Sequence, residues 1–88
     1  MKAYLISYDL DKPGQNYDRI IARLKQHGAV RMLLSQWALQ SNLSAVELRN
    51  DLQANGIDGN DRLLITELTG DWASYNLLAT DKFKQIAA

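Results

Sequence analysis

Eighty-eight residues suffice for one small domain, and a composition 47% hydrophobic and 23% charged belongs to a folded globular chain rather than a disordered one. Ten basic and ten acidic side chains cancel, which argues against a general nucleic-acid coat, and the lack of cysteine excludes disulfide scaffolds and thiolate zinc sites. The N-terminus is too polar for a signal peptide or a membrane span, so a soluble, cytoplasmic protein is expected.

Residues 3 to 9 mix aromatic, β-branched and aliphatic side chains and are predicted to form a nearly continuous apolar strand ending at Tyr8-Asp9. Lys12-Pro13-Gly14 stops it, because proline lacks an amide donor and glycine admits positive φ. Asn16 is placed to cap a helix whose apolar residues Tyr17, Ile20, Ile21 and Leu24 recur at helical spacing. Gly28 is its expected stop, with His27 near the last turn.

Between Ala29 and Gln40 the pattern is again that of a strand, but the apolar parity changes between Leu34 and Trp37. One strand with one buried face cannot do this without a bulge or turn, so two short strands are expected to meet near Leu34-Ser35. Ser44-Ala45-Val46-Glu47 is a capping box opening a second helix with Ala45, Leu48 and Leu52 on one face, ending near Asn55-Gly56. After the turn residues Asp58-Gly59-Asn60, Arg62 to Leu68 is predicted to be a strand. Leu77 to Ile86 fits either a last strand or a short helix, which leaves residues 71 to 88 open, and Trp72 and Tyr75 are expected to pack.

The order strand, helix, strand, strand, helix, strand predicts a single α+β domain over 1 to 88: a ferredoxin-like βαββαβ fold, its four-stranded antiparallel sheet carrying two helices on one face. The other face would be bare, with Tyr4 or Tyr8 and Trp37 as its occupants, and would call for a partner subunit.

Few residues are suited to chemistry. Asp9 and Asp11 are the candidate ligands for a hard cation such as magnesium, which often takes only one or two protein carboxylates. One Asp9 is a weak site; two facing each other across a two-fold axis would make a better one. The plainer reading is that Asp9 ends a strand and accepts loop amides. Arg31 lies in an apolar strand and must reach an acid, a phosphate or the strand edge. Ser35 reads as a turn residue, since no base stands beside it. His27 reads as a helix-terminal residue, Trp37 and Trp72 as packing or base-stacking groups. Arg19 and Arg23 line a helix face that meets phosphate or water.

Taken in order, Tyr8-Asp9, Asp18-Arg19, Gly28, and Arg31-x-x-x-Ser35-x-Trp37 resemble the small CRISPR-associated Cas-two family and its relatives outside CRISPR loci, over roughly residues 1 to 70. The resemblance implies a ferredoxin-like homodimer. Members are described as metal-dependent endonucleases acting on RNA or DNA, or as structural partners of a DNA integrase. It implies that Asp9 of each protomer holds magnesium, that Arg31 and Ser35 complete a catalytic site, and that Arg19 and Arg31 contact nucleic acid. The alternative within the same resemblance is a non-catalytic dimeric adaptor that binds nucleic acid or bridges a partner such as an integrase. The chain differs from the family in its longer loop from Asp11 to Asn16, in its single Arg19, and in an ending with Trp72, Tyr75 and Phe83.

Overall fold

The computed structural model describes residues 1 to 11 and 17 to 88. Its elements run β1 (Lys2–Asp9), α1 (Tyr17–Gln26), β2 (Val30–Leu33), β3 (Gln36–Ser41), α2 (Ala45–Asn55), β4 (Arg62–Glu67) and α3 (Thr80–Ala87). The strands form one antiparallel sheet in the order β2-β3-β1-β4, the ferredoxin-like arrangement expected from the element order. Asn16 and the Lys12-Pro13-Gly14 stop lie outside the described residues.

Strand alternation assigns every sheet residue to one of two faces. Register places Ile6 between Trp37 and Ile65, and Tyr4 beside Leu39, so these side chains share the face that α1 and α2 cover. Ile20 and Leu24 from α1 and Leu48 and Leu52 from α2 are fully buried against them. Each is worth about 1.5–3 kcal/mol of transfer free energy. The two helices meet closely at Gly56, where an added Cβ would lie 3.3 Å from the Ile20 Cα. The capping box of α2 is complete: Ser44 Oγ accepts from the Glu47 amide, and Glu47 Oε1 accepts from the Ser44 amide. Gly28 ends the first helical segment with φ +78, a conformation that favours glycine.

The parity change near residue 35 is a turn between β2 and β3, with an irregular register between Arg31 and Leu33. Below it, the chain covers part of its own second face, which corrects the expectation of a bare one. The C-terminal segment is a helix rather than a strand, and α3 packs on β2 and β3. Phe83 joins Met32 and Ala38 in a second, smaller core, ringed by Leu5, Val30, Leu77 and Ile86. The Leu78 amide donates to the Met32 carbonyl, and Gln40 Nε2 donates to the Ile86 carbonyl at 3.0 Å. Trp72 stands edge-on to Phe83, with ring centroids 4.7 Å apart. Tyr75, expected to pack, is 87% exposed.

Tyr4, Tyr8 and Trp37 are therefore not on the second face at all; they belong to the core beneath α1 and α2. Alternation shows which residues share a face, but not which face receives the helices. Polar tips let these aromatics be buried: Tyr4 Oη donates to the Leu43 carbonyl at 2.7 Å, and Trp37 Nε1 donates to Tyr8 Oη at 3.2 Å. Among the described residues, no helix is long and apolar enough to cross a membrane.

Candidate functional site

The residues singled out by sequence gather at the end of the sheet where β1 leaves the core. The Tyr8 amide donates to the Ser35 carbonyl at 3.1 Å, which ties the β2–β3 turn to that end of β1. Ser35 thus contributes its backbone there; its hydroxyl makes no hydrogen bond among the described residues. Trp37 lies beneath Arg31, whose Cζ is 4.9 Å from the ring centroid. Of the partners expected for Arg31, an acid is absent among the described residues; the guanidinium rests on an aromatic face, a contact worth about 0.5–2 kcal/mol. Its Nε is buried without a hydrogen-bond partner among the described residues.

Asp9 is exposed and sits opposite Arg62 in the β1–β4 register. It accepts no hydrogen bond among the described residues, and residues 12 to 16 of the loop whose amides it was expected to accept lie outside them; one neighbouring aspartate does bind loop amides. That residue is Asp61. Its Oδ1 accepts from the Asp11 amide at 2.7 Å and its Oδ2 from the Asp58 amide at 2.8 Å. Those two amides hold the Asp61 carboxyl below the usual carboxylate range.

Alternation separates the proposed partners. Tyr8 faces the helices, so Asp9, the next residue of β1, projects from the opposite side. Arg31 is paired with Trp37 and shares the helix side. Asp9 and Arg31 thus approach the sheet end from different faces. Arg19, the other candidate for phosphate, is engaged by Asp58, with Nη1 3.3 Å from Oδ1. Among the described residues, no group of three or more histidine, cysteine, aspartate or glutamate side chains could hold a metal ion. Among the described residues, a single chain offers magnesium the carboxylates of Asp9 and Asp11 at this end, Asp61 being occupied by amides. Two carboxylates are the number magnesium often takes from a protein, with water supplying the other ligands; a second copy would add further oxygen ligands.

The most developed polar cluster lies elsewhere, between α1 and α2. Arg23 Nε donates to Asp51 Oδ2 at 2.8 Å and Arg23 Nη2 to Oδ1 at 2.5 Å, a bidentate pair. His27 Nε2 is 2.6 Å from Asp51 Oδ2, and Asn55 Nδ2 donates to Oδ1 at 3.2 Å. The Asp51 side chain is 20% exposed. Hydrogen bonding from Arg23, reinforced by His27 and opposed by desolvation, drives its pKa far below the ordinary carboxylate value. The same pairing raises the pKa of Arg23. Sequence reasoning treated Arg23 as a surface residue and His27 as a helix-terminal one. The signal was there in the four-residue spacing of both pairs, Arg23 with His27 and Asp51 with Asn55, each on one helix face. Among the described residues the cluster has no nucleophile bonded to it, and it ties α1 to α2.

No family model matches the chain, and no solved structure matches it.

Proposed function

We propose that the chain is a non-catalytic, dimeric adaptor of Cas-two-like layout that acts in the cytoplasm by bridging a partner protein. The observation that carries this reading is the separation of Asp9 from Arg31 on opposite faces of the sheet. A phosphodiesterase needs its metal ligand and its phosphate-neutralising cation to converge on one phosphate. The engagement of the cations supports the same reading. Arg19 and Arg23 are ion-paired, Lys2 lies 3.9 Å from Glu67, and Arg31 is stacked on Trp37. Lys25, Arg49, Arg62, Lys82 and Lys84 stay exposed, but over the chain the basic side chains are matched by an equal number of acids, which argues against a general nucleic-acid coat.

One observation favours the second reading, a magnesium-dependent endonuclease. The Asp9 carboxylate is exposed, free of partners among the described residues, and next to the turn that carries Ser35. Two Asp9 carboxylates brought together across a dimer axis would build that site. A cleavage assay separates the readings: RNA and DNA, single- and double-stranded, are incubated with magnesium or manganese and either wild-type protein or Asp9→Ala. The adaptor reading predicts no metal-dependent cleavage by wild type above the variant's background. Cleavage that requires metal and disappears in Asp9→Ala would replace it with the nuclease reading.

A further inference from the structure

The chain contains a single Asn-Gly dipeptide, Asn55-Gly56, where α2 ends. Asparagine before glycine is a reactive setting for deamidation, because the following nitrogen is unhindered by a Cβ. That nitrogen attacks the asparagine side-chain amide carbon, a new C–N bond closes a cyclic succinimide, and ammonia leaves. Water then opens the ring to aspartate or isoaspartate. The reaction needs no oxidant, metal or enzyme. Asn55 is exposed, so water reaches its side chain.

The fold holds both reacting groups. The Gly56 amide, the attacking nitrogen, donates to the Leu52 carbonyl at 2.8 Å and closes the last turn of α2. Asn55 Nδ2 donates to the Asp51 carbonyl at 2.9 Å and to Asp51 Oδ1 at 3.2 Å. Helical backbone at Asn55 also aims the next amide along the helix axis and away from the Asn55 side chain. Packing explains why the glycine is there. Gly56 is buried, and an added Cβ would lie 3.2 Å from the Leu52 carbonyl oxygen and 3.3 Å from the Ile20 Cα of α1. Cyclisation must break the bond to Leu52 and turn Gly56 away from α1. The last turn of α2 has to open first.

We propose that Asn55 is a deamidation site gated by the fold: silent while the last turn of α2 is closed, converted when that turn opens, and a poorer lock once converted. A carboxylate at position 55 cannot donate, so it sets acceptor against acceptor at both the Asp51 carbonyl and the Asp51 carboxylate. It also places an anion at the negative end of the helix dipole, where the last turn of α2 has no basic residue to offset it. Arg23, the cation on Asp51, is already engaged by Asp51 and Gln26. Isoaspartate goes further, since it adds a methylene to the main chain just before the amide that binds Leu52. Each opening of α2 therefore risks a one-way chemical change that loosens the Arg23–Asp51–His27 clamp. The site is independent of the adaptor reading.

The test incubates wild type and Asn55→Gln at mildly alkaline pH, folded in buffer or unfolded in urea, and follows the amide-to-acid mass change by peptide mapping. Wild type in urea should convert in the peptide carrying Asn55 about tenfold or more faster than folded wild type, and Asn55→Gln should not convert there. The Gly56 amide should exchange slowly in the folded protein. Deamidated chain, separated by ion exchange and refolded, should unfold at lower urea than unmodified chain taken through the same steps. Equal rates in buffer and urea would overturn the gating, as would a freely exchanging Gly56 amide beside a silent Asn55. Conversion confined to other asparagines would overturn the site, and equal urea midpoints would overturn the loosening of the clamp.

Discussion

The two faces of one sheet are built to different standards. The face under α1 and α2 buries Tyr4, Ile6, Ile20, Leu24, Leu39, Leu48 and Leu52 almost completely and adds an ionic clamp between the helices. The other face has a three-residue buried core of Met32, Ala38 and Phe83, and α3 packs mainly on its β2–β3 side. The β1–β4 side keeps Asp9, Arg62 and Leu64 at the surface. A small domain can fill one core well; what remains is a satellite cluster and a surface open to partners. The first face holds the larger core, and the second leaves more of its side chains at the surface.

That contrast can be broken by mutation. Leu52→Ala, at a fully buried position of the first face, should cost about 2–5 kcal/mol, and urea titration should show the whole domain losing stability cooperatively. Phe83→Ala should cost less, roughly 2 kcal/mol, because α3 can detach without opening the sheet. Hydrogen exchange should show faster exchange in residues 78 to 87 while β1 and β3 stay protected. If Phe83→Ala instead exposed the whole sheet, the two faces would form a single cooperative unit and the contrast would fail.

The clamp has a pH signature. Asp51 is held below its ordinary pKa in the folded state, so its contribution is present above the unfolded carboxylate value of about 3.9 and is lost as pH falls below it. Asp51→Asn should therefore cost about 1–3 kcal/mol at pH 7, from hydrogen bonds to a charged group, and progressively less toward pH 2. A cost independent of pH would assign the effect to packing. The smallest change is expected at the sheet end: Asp9→Ala should move stability by no more than ~0.5 kcal/mol, as for an exposed side chain without partners among the described residues.

Much of the first face could be read in advance. Helical spacing marked Ile20, Leu24, Leu48 and Leu52, the capping box fixed the start of α2, and the parity change before Trp37 exposed the β2–β3 turn. These are local signals with one physical cause each. The second face was harder because its helix has weak ones: Ala79 provides no side-chain cap, and the apolar residues Ala79, Phe83, Ile86 and Ala87 are too few to distinguish a short helix from a strand. Tyr4, Tyr8 and Trp37 were assigned to the wrong face because β1 is apolar on both sides, so pattern alone did not show which side the helices take. At the candidate site, the strand end at Asp9 and the turn at Ser35 were each legible locally, and the structure ties them together through the Tyr8 amide and the Ser35 carbonyl. The stacking of Arg31 on Trp37 and the Arg23–Asp51–His27 clamp depend on contacts between distant elements, which short-range spacing does not encode.

The central claim, that Asp9 and Arg31 do not converge and that the chain works without a shared metal, is tested most directly by titrating magnesium into wild-type protein and Asp9→Ala by calorimetry. The account predicts no saturable binding in either. A site with one magnesium per two chains, present in wild type and abolished by Asp9→Ala, would contradict it.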